Sequence, residues 1–307
     1  MSLDLLVAIL MTVAGAATPL LIAGLGELVV EKSGVLNLGV EGMMLIGAVT
    51  GFAVATTTGF PVLGAIAAMA AAGLASMIFA VLVLTLMANQ VATGLALTIF
   101  GTGVSALIGA SFVGITTPTL GPIFPDFLTS SPILRLVFGH SPLVYVGLLM
   151  TFAVWWFLNR ARAGLILRAV GESDAAAHAI GYPVLKVRYL AVLFGGAMAG
   201  LAGSYYSLVL TPMWAERLTA GRGWIAIALV VFASWRPGRM LAGAYLFGLV
   251  MTMELQAKAA GFNMVAPELL AALPYIATIA VLAIISAAKR RGAAAPACLG
   301  KPFRAAA

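Results

Sequence analysis

Between Glu41 and Asp126 the chain carries no charged residue for 84 positions. A helix that crosses a bilayer needs roughly 20 apolar residues, so this stretch alone holds room for three crossings. Its apolar runs are continuous rather than alternating in roughly ten-residue pieces, which excludes a closed β-barrel. Across the 307 residues, 9% are charged and 63% apolar, against about 25% charged in soluble domains. The sequence specifies an all-α polytopic membrane protein with about eight to ten transmembrane helices.

The expected crossings are Leu5–Gly26, Gly42–Thr58, Val62–Ala88, Val91–Gly114, Pro142–Leu158, Tyr189–Leu210, Gly223–Trp235, Met240–Gln256 and Leu269–Ala288. The seventh is short, and a short crossing must be a tilted or broken helix buried among its neighbours, because unpaired backbone cannot face lipid. The first run follows a lone Asp4 with no basic residue before it, so it reads as a retained span rather than a cleavable signal. Residues 1–291 form one transmembrane domain, and the Ala/Pro/Gly-rich tail 292–307 is expected to be disordered. The connector Ile115–Ser141 contains Pro118, Pro122, Pro125 and Pro132, and has room for one short interfacial helix.

Orientation follows from the basic residues. With the loop Asn159–Arg188 and the cluster Lys289-Arg290-Arg291 in the cytoplasm, 13 of the 17 Lys and Arg residues lie inside. Arg135, Arg217, Arg222 and Lys258 remain outside, and an odd number of spans puts the N-terminus outside too. This distribution accounts for the net charge of +7 without a nucleic-acid partner. Cys298 is the only cysteine, and His140 and His178 belong to no cluster with metal-ligand spacing, so no metal site is expected. There is no G-x-x-x-x-G-K-[ST] segment, no G-x-S-x-G elbow and no zinc-protease helix, so no catalytic residue is nominated.

Three polar stretches interrupt the apolar runs. Gly26–Gly47 reads GELVVEKSGVLNLGVEGMMLIG, and in a helix Asn37 and Glu41 would share one face. A carboxylate at membrane depth faces a cavity, a pathway or a partner, while the plainer alternative is a loop with a helix cap. Asn89, Gln90 and Thr93 form a second knot that either lines a hydrophilic path or bonds across helices. Small residues at Gly47-x-x-x-Gly51 and Gly196-x-x-x-Gly200 permit close helix packing.

The third stretch, Asn159–Arg188, carries seven of the 27 charges. Asp174 can cap a short helix over Ala175–Ile180, with Gly181 as its left-handed stop and Pro183 barring continuation. Arg168, Gly171 and Glu172 precede it, and His178 lies near its end. A capped helix on the cytoplasmic face offers a docking surface to something soluble.

Four segments together resemble ABC importer permeases of the ribose, branched-chain amino acid and nucleoside type: GELVVEKSGVLNLGVEGMMLIGA, NQVATGLALTIFGTG, GLILRAVGESDAAAHAIGYPV and GRGWIAIALVVFASWRPGRMLAGAYLFG. The first and last are most similar to the nucleoside and simple-sugar subgroup. The resemblance implies a permease-like helical bundle in the bacterial plasma (inner) membrane, paired with a second, longer permease. It also implies a cytoplasmic ABC ATPase that holds the ATP and Mg, so that this chain binds no cofactor, and an extracytoplasmic solute-binding protein facing Ile115–Ser141 and Met213–Trp224. Leu165–Val184 would be the coupling helix, with Arg168, Gly171, Glu172, His178 and Gly181 in the ATPase contact. Asn37, Glu41, Asn89, Gln90 and Thr93 would line or approach the substrate path. Ser173-Asp174 stands where many relatives carry Asn-Pro, and it keeps a capping residue. The competing reading is an ion-coupled secondary carrier for a small polar solute with Glu41 as coupling site and Glu254 as a further candidate.

Overall fold

Seven helices in the computed structural model are long and apolar enough to cross a membrane. The structure describes residues 3–129, 131–259, 276, 279, 283 and 295–304. The expected ninth crossing, Leu269–Ala288, lies outside the described residues except for positions 276, 279 and 283, and so does the cluster Lys289-Arg290-Arg291. The long helices are α1 (Leu3–Lys32), α2 (Val40–Thr58), α3 (Pro61–Ala80, prolonged by a π-helical turn Val81–Thr85) and α4 (Gln90–Gly109). A short α5 (Pro132–Phe138) precedes α6 (Pro142–Arg160), and α7 (Arg162–Glu172) and α8 (Asp174–Ala179) follow it. The remainder are α9 (Val184–Tyr205, prolonged by the π-helical turn Tyr206–Leu210), α10 (Arg222–Phe232) and α11 (Pro237–Ala259).

The N-terminal helix runs past the expected boundary at Gly26. Glu27 and Glu31 are buried inside it and each receives a donor from another segment, so the helix can carry them inward. At the centre, α2 packs against α3, α4 and α9, while α1 packs against α9, α10, α11 and α6. The expected small-residue contacts occur: a Cβ on Gly47 would meet Gly200 Cα at 2.4 Å, so α2 and α9 touch backbone to backbone.

Two crossings are broken. After Lys32 the chain turns back beside α1 without helical structure, and Asn37 comes level with Glu27. Only then does α2 begin, with Gly42 against Leu97 and Thr98, halfway along α4. In the opposite sense, residues 211–221 leave the end of α9, pass through left-handed turns at Arg217, Ala220 and Gly221, and reach the start of α2 before α10 forms. The 11-residue α10 spans about 16 Å, roughly half the hydrocarbon thickness. The short seventh crossing is thus a half-helix preceded by irregular backbone, which is pinned to the protein at the buried residues Trp214 and Thr219 and is otherwise largely exposed.

The faces sort as the charges require. Lys32, Arg168, Arg236 and Arg239 border one cavity, which places the ends of α1, α6 and α10 and the whole of α7 on one side. On the other side the start of α1 and the ends of α9 and α11 meet around Thr12, Leu210 and Lys258. Here Ser131 caps α5 through Leu134 N at 3.4 Å, the short helix expected in the connector. Isolated bridges join Val113 to Trp214 and Thr116 to Met213.

The tail departs from expectation. Residues 295–304 are ordered against the cytoplasmic end: Cys298 N donates to Gly171 O at 2.9 Å and Gly300 N to Gly34 O at 3.1 Å. Phe303 packs with Val170, Ala177 and Val184. Two apolar side chains and a few backbone bonds suffice to seat a segment whose composition alone reads as disordered.

Candidate functional site

The Gly-rich start of α2 is where the two broken crossings meet. Glu41, in the first turn of α2, is buried and accepts three hydrogen bonds. Thr219 Oγ1 donates at 2.5 Å and Gly221 N at 2.8 Å to one oxygen, and Gly223 N at 2.6 Å to the other. The carboxylate thereby occupies the N-terminus of α10, where free amides and the helix dipole favour negative charge. A Cβ on Gly223 would meet Glu41 N at 2.7 Å, so only glycine allows this approach.

A second carboxylate holds the other end of α10. Glu31 Oε2 accepts from Trp235 Nε1 at 2.5 Å, just past the last turn. The corner there is tight, with Ser234 and Trp235 both in the left-handed region at φ 50° and 54°. A third, Glu27, accepts from Asn37 N at 3.2 Å. One oxygen of Glu27 and one of Glu31 are buried without a partner. Neither residue was nominated from sequence, although both lie in the same Gly-rich stretch and their i, i+4 spacing was legible.

Asn37 and Glu41 do not share a helical face, because α2 begins only at Val40. Asn37 instead shapes the turn: its Oδ1 accepts from Gly39 N at 2.9 Å and its Nδ2 faces Met43 Sδ at 3.7 Å. Gln90 joins this knot by accepting from Leu36 N at 2.8 Å, with its Nε2 left unpartnered. Asn89 and Thr93 stand apart. Asn89 caps α4 through Ala92 N at 3.0 Å. Thr93 borders an apolar groove of about 490 Å³ between α3 and α4.

On the cytoplasmic side, Leu165–Val184 is not one helix. It breaks at Ser173, which adopts extended geometry (φ −152°) between α7 and α8. Ser173, not Asp174, is the cap, with Oγ accepting from Ala176 N at 3.3 Å. Asp174 accepts from Ala175 N at 2.8 Å through one oxygen and forms an ion pair at 3.0 Å with Arg188 through the other. Arg188 is fully buried and also donates to Ser33 O at 3.1 Å and Lys301 O at 3.4 Å. It ties α8 to the end of α1, the start of α9 and the tail. Its importance was invisible in sequence, because none of its three acceptors is a sequence neighbour.

The nominated coupling residues divide by environment. Gly171 is buried where a Cβ would fall 2.1 Å from Lys32 O, so α7 rests directly on the end of α1. Gly181 (φ 89°) ends α8 as the left-handed stop. His178 lies against the Phe303 ring at 5.4 Å. Arg168 and Glu172 are exposed, as is Ile180, so α7 and α8 present a ledge with an apolar point between charges. Met213–Trp224 does not face outward as a unit, since Thr219 and Gly223 are buried on Glu41. Glu254 pairs with Lys258 at 2.7 Å.

A family described as the branched-chain amino acid transport system permease component matches residues 9–282. The chain belongs to that family. A putative glucose ABC transporter permease of Haloferax volcanii is 42% identical over 290 residues, covering 87% of this chain and 88% of its own. A guanosine ABC transporter permease of Bacillus subtilis is 32% identical over 78% of this chain and 79% of its own. A nucleoside ABC transporter permease of Lactococcus lactis is 26% identical over 87% and 89%. Haloferax and Bacillus each contribute a second similar permease, named for glucose and for guanosine, at 29% and 28% identity. As a permease of an ABC importer, the chain is a multi-pass plasma-membrane subunit, and hydrolysis belongs to its ATPase. The family implies that ATPase and a solute-binding protein as partners.

Proposed function

We propose that this permease imports nucleosides or related simple sugars, with a second permease subunit completing the pathway. The relatives named for glucose, guanosine and nucleosides support the solute class, and the paired permeases in two organisms support the partner. ATP and Mg are held by the ATPase, and this chain supplies path and lever without a cofactor of its own. Arg168, Glu172, His178 and Gly181 form or border the ATPase contact, with Gly171 as its fulcrum on α1. Asn37, Glu41 and Gln90 shape the meeting point of the broken crossings, which is where transporters place their solute sites; Asn89 and Thr93 flank it on the α4 side.

The observation that carries the lever is the Arg188 knot. One side chain joins the ledge to two helices of the bundle and to the turn from which the α2 crossing departs. Motion of the ledge therefore reaches the turn at Ser33 without an intervening loop. Reconstitution of both permeases, the ATPase and the binding protein tests this reading with Glu172→Leu and Ile180→Asp. Hydrolysis that continues while uptake of a labelled nucleoside falls supports it. Normal uptake by both variants removes the ledge from the coupling contact.

A further inference from the structure

Beside the ledge lies a cavity of about 570 Å³, and four basic side chains border it: Lys32 at the end of α1, Arg168 on α7, and Arg236 and Arg239 at the corner between α10 and α11. None of the four forms an ion pair among the described residues, whose two ion pairs are Arg188–Asp174 and Lys258–Glu254. The charges acting on Lys32 are one acid, Glu172, and two further cations, Arg168 and Arg236. Arg168 makes a single long bond, to Leu158 O at 3.4 Å. Trp235 also lines the cavity, with its indole N–H already committed to Glu31.

The positive-inside rule explains why these residues are on the cytoplasmic side. It does not explain why three segments, spread over some 200 positions of sequence, bring them into one concavity. Four cations gathered against a single acid, Glu172, repel one another on balance, and a concave site with low-dielectric walls concentrates their field. Guanidinium forks match phosphate oxygens in geometry as well as charge, and an ammonium adds a point contact. Basic pockets between helices at the cytoplasmic surface are suited to phosphate-bearing headgroups.

We propose that this cavity is a binding site for a phosphate-bearing anion, held by Lys32, Arg168, Arg236 and Arg239. The anion bridges the end of α1, the ledge helix α7 and the corner that anchors α10, so its occupancy favours the arrangement of these three elements seen here. An inner-leaflet phospholipid headgroup and a soluble pyrophosphate-type anion offer the same chemistry, and the test separates them.

The full chain is placed in phosphatidylcholine discs, with and without phosphatidylglycerol, and separately titrated with inorganic pyrophosphate. The readouts are the thermal unfolding midpoint and lipid retention in native mass spectrometry. The double variant Arg236→Gln/Arg239→Gln should weaken binding by about tenfold or more, because two charge-assisted contacts are lost. Arg160→Gln/Arg162→Gln removes equal charge from the same face outside the cavity and should leave binding within about twofold. Lys32→Gln/Arg168→Gln repeats the loss from the opposite wall if the corner variant does not fold. Stabilisation by phosphatidylglycerol alone assigns a lipid, and by pyrophosphate alone a soluble anion; either supports the site. Equal losses in the cavity and control variants would overturn it, as would a parent protein that responds to neither probe. Loss of ATPase association in the corner variant, with neither probe bound by the parent, would make the cavity a socket for acidic side chains instead.

Discussion

Two short elements of this permease, the half-helix α10 at its start and the ledge helix α8, are each anchored by a buried ionisable side chain from elsewhere in the chain, yet the two anchors are built differently. Glu41 gathers donors from a single stretch, Thr219 to Gly223. Arg188 gathers acceptors from three separate segments, at Ser33, Asp174 and Lys301. The first arrangement fixes one local geometry and works as a brace. The second links parts that can move against each other and works as a joint. Removing a brace should cost folding, and removing a joint should cost communication.

Glu41→Leu gives the largest expected effect. It leaves two amides and a hydroxyl unpaired in the interior, each costing about 1–3 kcal/mol. The detergent-purified variant should show a steep fall in thermal midpoint, with little folded protein recovered. Glu41→Gln should fall less, because its carbonyl can still accept while its amide turns a donor toward one remaining N–H. A Leu variant with an unchanged midpoint but no uptake would make Glu41 a path residue rather than a brace.

Next in size is Arg188→Met, which removes the buried partner of an ion pair whose aspartate is 18% exposed, at a cost below the about 3–5 kcal/mol of a fully buried pair. Its distinctive outcome is functional: ATPase turnover in the assembled transporter continues while uptake stops. The tail supplies an independent readout, since Cys298 is the only cysteine and is buried against Gly171. Loss of the Arg188 contact to Lys301 should speed maleimide labelling of Cys298. Unchanged labelling and normal uptake would reduce Arg188 to a fold-stabilising residue.

Gly171→Leu should act through position more than stability. The new side chain lands on Lys32 O and forces α7 off the end of α1, so hydrolysis and uptake separate. Gly181→Ala is the comparison within the ledge but away from α1. Open space surrounds it, and the left-handed backbone costs an alanine about 1–2 kcal/mol, so uptake should fall less than in Gly171→Leu. Equal uncoupling by both would locate the effect in ledge flexibility rather than in the α1 contact.

The long spans were legible because an apolar run of sufficient length is its own signal, and eight of the nine expected crossings correspond to α1–α4, α6 and α9–α11. The brokenness of α2 and α10 was only half legible. The short Gly223–Trp235 run announced an irregular crossing, but the segment before it is shaped by Glu41, some 180 positions away. Asn37 was read with Glu41 on one helical face because spacing alone cannot show that the helix starts at Val40. Arg188 read as one more cytoplasmic charge, since a buried arginine declares itself only through partners that folding brings to it. The tail misled in the other direction: its composition is Ala/Pro/Gly-rich, yet Cys298 and Phe303 are the residues that dock.

The smallest expected effect divides brace from joint within two adjacent residues. Ser173 caps α8 and touches nothing in the Arg188 knot, while Asp174 belongs to the knot and is not the cap. Ser173→Ala should therefore lower the thermal midpoint by the equivalent of about 1 kcal/mol, with uptake per ATP and Cys298 labelling unchanged. Asp174→Ala leaves the Ser173 cap in place but deprives a fully buried guanidinium of its only carboxylate among the described residues. It should accelerate Cys298 labelling and uncouple transport, resembling Arg188→Met in kind. If the two alanine variants behave alike, α8 moves as one unit with its cap, and the distinction between a local brace and a distributed joint fails at the place where it is sharpest.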